Sequence, residues 1–200
     1  KKESMSIYQL FLQHIIASLK KGGKAAVVVP TGFVTAQSGI DKKIRQKLVD
    51  EKMLAGVVSM PSNIFATTGT NVSILFIDDS NDGDVVLVDA SNLGKKVKEG
   101  KTQKTVLSAK EEQQIVNVFN GKQQVDDLSV AVSYAYIKKK NYSLSAGQYF
   151  EVKIEYVDIT AEQFAEKMQD FTNNLDKLFK QSHDLESKIK GHLAELTIDD

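Results

Sequence analysis

One short loop of the sequence places an aromatic ring among small polar residues. Residues 62–73 read SNIFATTGTNVS, with Phe65 followed directly by small residues, most of which carry hydroxyl or amide groups. A ring flanked by hydrogen-bonding groups is what proteins use to stack on and hold a base taken out of a duplex. The alternative is that Phe65 folds back and fills the core beneath the loop. The candidate base-contacting residues are Phe65, Thr68, Gly69, Thr70 and Asn71.

The rest of the sequence supplies no self-contained catalytic set. The chain has no Cys, which excludes a cysteine nucleophile, a disulfide scaffold and a Cys-based metal site. His14, His183 and His192 fall in predicted helices without a second ligand at a useful spacing, so we interpret them as surface or packing residues. The sequence contains no GxSxG, Walker or GxGxxG motif. We therefore predict no metal site and no catalytic residue in this chain.

The net charge of zero is a cancellation between two unlike parts of the chain. Residues 1–150 carry 20 basic and 14 acidic side chains, a balance of +6, and residues 151–200 carry 6 basic and 12 acidic, a balance of −6. Clustered lysines can neutralise phosphates, although lysines in exposed loops are commonly only solvated. The candidate DNA-phosphate residues are Lys95, Lys96, Lys98 and Lys101.

Length and composition limit the architecture. The 200 residues, 42% of them hydrophobic, fit one globular domain with an appendage. The longest purely apolar run, Ala25 to Val29, is far shorter than the ~20 residues needed to cross a bilayer, and the N-terminus lacks a signal-peptide core. We therefore expect a soluble, cytoplasmic protein. Because the chain starts at Lys1 with an amphipathic pattern established by Ile7, we also expect a fragment of a larger protein.

The hydrophobic pattern predicts an α/β fold. An apolar stripe on residues 7–19 indicates a helix, and Ser38 with Asp41 marks the start of a second helix. The apolar run at 25–30 is typical of a strand buried on both faces by helices. Further strands are predicted at 54–61, 72–77 and 85–90, the last two joined as a hairpin by the turn cluster DDSNDGD. This order gives a sheet with at least one antiparallel strand at its edge.

The sequence after these strands is less regular. Residues 92–105 are rich in Lys and Gly and predict an exposed excursion. Ser108 with Glu111 forms a capping box for a short helix that ends at Gly121. Residues 125–157 contain a cluster of aromatic side chains but give no clear secondary-structure signal.

The last segment predicts one long amphipathic helix. Thr160 and Gln163 form a capping box, and Ile159 with Phe164 is placed as a hydrophobic staple. A helix from residue 161 to about 197 would be ~55 Å long, more than the body needs, so we expect it to bind a partner; self-association or folding on the body are the alternatives. Its apolar seam skips Ser182 and His192 and contains Phe164, Met168, Phe171, Leu175, Leu178, Leu185, Ile189 and Leu196.

Three segments together resemble a known family. They read FLQHIIASLKKGGKAAVVVPTGF, KIRQKLVDEKMLAGVVSMPSNIFATTGTNVSILFID and NYSLSAGQYF. They resemble the latter part of the modification subunit of type I restriction–modification systems, an adenine-N6 DNA methyltransferase. The resemblance is close over residues 7–78, returns at 141–150 and is weaker between.

The resemblance implies a fold and a division of the active site. Residues 1–157 would form the C-terminal part of the catalytic domain, the distal part of a Rossmann-like S-adenosylmethionine-dependent methyltransferase sheet with an antiparallel hairpin, and residues 158–200 a long helical tail. In this family the S-adenosylmethionine loop and the Asn/Asp-Pro-Pro-Tyr/Phe motif precede the matched region. Pro30 and Pro61 are the only prolines and are not adjacent, so the fragment is expected to be inactive alone. In related enzymes an aromatic residue from the segment matching Ser62 to Phe65 stacks on the flipped adenine, which implies this role for Phe65.

The resemblance also implies partners. The substrate would be double-stranded DNA, and the C-terminal helix would pack with a specificity subunit that reads the DNA sequence. A second modification subunit and the restriction subunit would complete the complex. Two other hypotheses remain: a non-catalytic α/β partner-binding module with a coiled-coil tail, and an RNA methyltransferase of similar fold.

Overall fold

The protein divides into two compact units, Lys1–Glu151 and Val152–Asp200. The computed structural model describes residues 5–65, 69–100, 102–151 and 160–194. The elements of the first unit are α1 Ile7–Ser18, β1 Lys24–Pro30, α2 Thr31–Thr35, α3 Gly39–Asp50, β2 Leu54–Ser59, β3 Val72–Asp78, β4 Val85–Asp89, β5 Lys95–Glu99, β6 Thr102–Val106, α4 Ala109–Asn120, β7 Ser129–Val132, α5 Tyr134–Lys139 and a 3₁₀ turn Ala146–Gln148. The second unit contains α6, Ala161–Ala194.

Five strands form a mixed sheet in the order β1-β3-β2-β4-β7. β3 lies between β1 and β2 and is antiparallel to both, with Leu75 opposite Val27 on one side and Val57 on the other. β4 is parallel to β2, and β7 is antiparallel to β4 at the far edge. The strands β1, β2 and β4 therefore run parallel to one another, and their carboxyl ends lie at the same edge of the sheet.

The hairpin predicted between residues 72–77 and 85–90 is wrong. Both edges of β3 are already hydrogen-bonded to β1 and β2, so β4 cannot pair with it. β4 instead pairs with the free edge of β2. The antiparallel hairpin of this fold is β5–β6, within the segment that the sequence predicted as an exposed excursion.

Helices cover the two faces of the sheet unequally. One face packs against α1, α2, α3 and α5 in a core that includes Leu12, Phe33, Leu48 and Ile137. The other face packs against α4, which is brought close by Gly56. A Cβ at Gly56 would lie 2.4 Å from the Val86 carbonyl oxygen and 2.6 Å from the Phe119 ring, so only glycine permits this approach.

The strand predicted at 25–30 is present, but its predicted burial on both faces is wrong. β1 is an edge strand, and its side chains alternate between the core and an open surface. Val29 points into the core, whereas Val28 is 49% exposed. A run of valines predicts a strand, but only the strand order decides whether that strand lies inside the sheet or at its edge.

Several helix boundaries follow the predicted caps. Ser38 precedes α3, and the Ser108–Glu111 capping box precedes α4, with the Ser108 N–H donating to Glu111 Oε2 at 2.7 Å. The unassigned segment at 125–157 contains β7, α5 and the 3₁₀ turn, and its residues 152–157 lie outside the described residues.

The second unit begins with the predicted capping box. The Thr160 N–H donates to Gln163 Oε1 at 3.0 Å, and the Gln163 N–H donates to Thr160 Oγ1 at 3.3 Å. Ile159 of the predicted staple, Leu196 and the predicted end near residue 197 lie outside the described residues. None of the helices that the structure describes is long and apolar enough to cross a membrane.

Candidate nucleic-acid interface

The loop at 60–71 leaves the carboxyl edge of the sheet and is closed at its base by backbone hydrogen bonds. The Met60 N–H donates to the Val72 carbonyl at 2.9 Å, and the Thr31 N–H donates to the Asn71 carbonyl at 3.0 Å. Beneath the loop, the hydroxyl of buried Ser73 lies 3.3 Å from that of Thr31 and 3.4 Å from that of Ser59. One end of the loop is thus fixed to the start of β3 and the other to the first residue of α2.

Phe65 lies on this loop with its ring turned towards solvent. Its side chain is 48% exposed and belongs to neither core cluster. The alternative in which Phe65 fills the core beneath the loop is therefore not what the structure shows. Gly69, Thr70 and Asn71 are also exposed on the returning limb of the loop, and Thr68 lies outside the described residues.

Asn63 links this loop to the β5–β6 hairpin. Its carbonyl accepts a hydrogen bond of 2.9 Å from the Thr105 N–H on β6. Its side-chain Oδ1 lies 3.6 Å from the position that a Cβ at Gly69 would occupy. Asn63 adopts φ +55°, a left-handed conformation that Asn tolerates better than most residues. Asn63 was not among the sequence-predicted site residues, although Pro61, Ser62 and Asn63 are all residue types that favour turns.

The β5–β6 hairpin carries the candidate phosphate-binding lysines. Lys95, Lys96 and Lys98 are exposed on β5, and Lys101 lies outside the described residues. The hairpin is anchored at its base by Glu111, whose Oε1 accepts a hydrogen bond of 2.8 Å from the Gly94 N–H. Hydrogen bonds from the Ser108 N–H and hydroxyl, and then from the Gly94 N–H, lower the pKa of Glu111 to about 2.

The connection after β1, residues 31–38, leaves the same edge of the sheet and is held by a buried arginine. The guanidinium of Arg45, fully buried on α3, donates to the Phe33 and Ala36 carbonyls and, through Nε at 2.8 Å, to the Tyr142 carbonyl. Asn141 adds two contacts, with Lys42 Nζ at 2.5 Å and Gln37 Oε1 at 2.7 Å. Arg45 lies in the second of the three segments that resemble the family and Tyr142 in the third, so these two segments meet here.

The described residues of the 60–71 loop can bind a flat ring but cannot react with it. Phe65 offers a stacking face, and Thr70 and Asn71 offer hydroxyl and amide groups. None of the described loop residues titrates near neutral pH, so the loop supplies neither acid–base nor nucleophilic chemistry. Among the residues that the structure describes, no group of three His, Cys, Asp or Glu side chains is placed to hold a metal ion.

The apolar seam of α6 is wholly exposed in its own unit. Phe179 and Leu193 are exposed beside the predicted seam residues and were missed by the sequence analysis. The sequence analysis assumed a strict seven-residue repeat, whereas a straight helix drifts ~20° per heptad, so Leu193 continues the seam better than His192. The described predicted members are Phe164, Met168, Phe171, Leu175, Leu178, Leu185 and Ile189.

Sequence comparison establishes the family. Residues 2–157 match the N-6 DNA methylase family, and the chain belongs to it. The chain is 29% identical over 191 residues to the type I restriction enzyme MpnII methylase subunit of Mycoplasma pneumoniae, covering 94% of this chain and 33% of that protein. It is 26% identical over 197 residues to the type I restriction enzyme HindI methylase subunit of Haemophilus influenzae, covering 93% and 43%. The chain thus spans about a third of the length of the first relative and less than half of the length of the second.

Solved structures share the fold. A crystal structure of the methyltransferase subunit of a type I restriction-modification system from Streptococcus thermophilus matches with a TM-score of 0.66 and 24% identity, covering 74% of this chain and 31% of that chain. The type I restriction enzyme EcoKI M protein matches with a TM-score of 0.53 and 21% identity, covering 97% and 48%. The predicted α/β methyltransferase fold is confirmed.

Proposed function

We propose that this chain is the C-terminal part of the modification subunit of a type I restriction–modification system. The full-length subunit transfers a methyl group from S-adenosylmethionine to N6 of adenine in double-stranded DNA. The observation that carries the proposal is the match of residues 2–157 to the N-6 DNA methylase family. The subunit acts in the cytoplasm, where its DNA substrate lies.

The loop at 60–71 holds the target adenine. Methyl transfer to N6 requires the amino nitrogen to be free of base pairing and aligned with the methyl donor, which is mainly a matter of positioning. The exposed ring of Phe65 stacks on the flipped base, while Gly69, Thr70 and Asn71 on the returning limb of the loop contact it. Base stacking on an aromatic residue contributes ~1–3 kcal/mol.

The methyl donor binds outside the residues described here. The connections that follow β1, β2 and β4 read TGFVT, MPSNI and ASNLG and contain no glycine-rich GxG sequence. These residues do not fit the cofactor, so we derive no step through it. The open face and free edge of β1 are suited to receive the remaining part of the subunit, which would complete the sheet.

The partners are assigned to two separate surfaces. The exposed seam of α6 packs with a specificity subunit, and the complex is completed by a second modification subunit and a restriction subunit. The acidic balance of the tail makes it a poor ligand for DNA, so phosphate contacts come from the β5–β6 hairpin.

The test measures methyl transfer and cofactor binding in parallel. We expect the full-length subunit, assembled with its specificity subunit, to transfer labelled methyl groups to adenine in duplex DNA and not to RNA. Calorimetric titration of S-adenosylmethionine should show binding to the full-length subunit and none to residues 1–200. No transfer and no binding by the full-length protein would instead favour a non-catalytic partner-binding module. Binding to the fragment itself would contradict the placement of the donor site.

A further inference from the structure

We propose that the β5–β6 hairpin contacts the DNA backbone with one face only, through Lys96 and Lys98, immediately beside the loop that carries Phe65. The proposal rests on the proposed function, because it assumes a DNA substrate. Of the four lysines named from the sequence, Lys96 and Lys98 bind phosphate and Lys95 does not. Lys101 lies outside the described residues.

The hairpin register assigns the lysines to faces. Side chains alternate between the two faces of a β-ribbon, and residues directly opposite each other share a face. Lys96 is opposite Thr105, and Lys98 is opposite Gln103. Lys95 is opposite Val106 and therefore lies on the other face. The face of Lys96 and Lys98 is thus also the face of Thr105, which is only 3% exposed.

The opposite face is poorly suited to phosphate. It carries Val97 and Val106, both more than 40% exposed, and its second lysine, Lys104, is half-buried and already engaged in another interaction. Lys95 lies near the Glu111 carboxylate and contributes to lowering the pKa of that group, so an acidic neighbour partly offsets its charge. Within the part of the chain that the structure describes, neither Lys96 nor Lys98 pairs with a carboxylate.

A direct backbone contact ties this hairpin to the base-holding loop. The N–H of Thr105 donates to the carbonyl of Asn63, which lies two residues before Phe65. Lys96 and Lys98 are two strand positions apart, about 6.6 Å at the rise of a β-strand, and both have flexible stems. The two ammonium groups can therefore contact neighbouring phosphates of the strand whose base stacks on Phe65.

The experiment compares two variants of the full-length subunit in its complex with the specificity subunit. The double variant Lys96→Gln/Lys98→Gln removes both charges from the proposed face, and the matched control Lys95→Gln removes one charge from the other face. The measurement is the slope of log binding constant against log salt concentration for duplex DNA. Each phosphate contact contributes ~0.9 to this slope. We expect the double variant to lower its magnitude by about 2 and Lys95→Gln to leave it unchanged.

Three outcomes would overturn the proposal. An unchanged slope in the double variant would mean that the hairpin does not contact DNA. An equal change per charge in Lys95→Gln would remove the distinction between faces. Loss of assembly with the specificity subunit, with an unchanged slope in complexes that still form, would make the lysine face a protein contact. Failure of the wild-type complex to methylate DNA would contradict the proposed function instead, and this is measured separately from the binding slope.

Discussion

Two connections leave the same edge of the sheet, and they direct their side chains oppositely. The connection after β1, residues 31–38, buries Phe33 and Val34 and is bound through its carbonyls to Arg45. The loop after β2 is fixed through backbone groups but exposes Phe65. We interpret the first connection as a buried frame, and the second connection carries the groups proposed to hold the adenine.

A backbone hydrogen bond joins the two connections. Thr31, at the start of the first connection, donates its N–H to Asn71 at the end of the second. The order that Arg45 imposes on the first connection therefore extends to the base of the loop that carries Phe65. We therefore expect loss of the contacts that hold the first connection to lower stability, and loss of the exposed ring of the second connection to lower activity.

The largest effect is expected from Arg45→Met. This change keeps the apolar stem but leaves one buried carbonyl, that of Phe33, and two half-buried carbonyls, those of Ala36 and Tyr142, without their donors. A buried acceptor without a donor costs ~1–3 kcal/mol. We expect the free energy of unfolding to fall by about 3 kcal/mol or more in urea denaturation. The matched control is Lys47→Met on the same helix, which removes only the exposed Lys47–Glu51 pair and should change stability by a few tenths of a kcal/mol. Equal effects would show that the first connection is not a frame.

Phe65→Ala should lower activity and leave stability unchanged. The exposed ring contributes little to folding, so we expect unchanged stability and unchanged S-adenosylmethionine affinity in the full-length subunit. Loss of stacking should lower kcat/KM for methylation roughly 5- to 150-fold, the equivalent of ~1–3 kcal/mol. Phe65→Tyr, which keeps the stacking face, should restore most of the activity. Unchanged methylation by Phe65→Ala would contradict a base-stacking role.

Local sequence signals account for the second connection better than for the first. The composition around Phe65 indicated a polar loop and left a stacking ring and a core-filling ring as alternatives, and Ser38 and Ser108 marked the starts of their helices. The role of Arg45 could not be predicted, because Tyr142, one of its acceptors, lies 97 positions away in the chain. The edge position of β1 was missed for the same reason, since strand order depends on long-range pairing.

Substitutions at Asn63 test whether the left-handed backbone conformation at this position in the second connection affects stability. At φ +55° a residue with an ordinary Cβ costs ~1–2 kcal/mol, which glycine avoids. We expect Asn63→Ala to lower the free energy of unfolding by about 1 kcal/mol and Asn63→Gly to have a smaller effect. Urea denaturation of both variants measures the difference. Equal losses would instead assign the effect to the side-chain oxygen beside Gly69.

The smallest effect is the pH dependence of the hairpin anchor at Glu111. Because hydrogen bonds from Ser108 and Gly94 lower the pKa of this carboxyl from 4.5 to about 2, ionised Glu111 favours the folded state. This contribution is present above pH 4.5 and is lost as the pH falls towards 2. In amide NMR spectra of the isotope-labelled protein, the Gly94 resonance should keep its neutral-pH position at pH 4, where ordinary carboxyls are half protonated. Glu111→Gln should shift that resonance at every pH, whereas Glu112→Gln should leave it in place. A Gly94 shift with a midpoint near pH 4.5 would show that the carboxylate does not anchor the hairpin beside the loop.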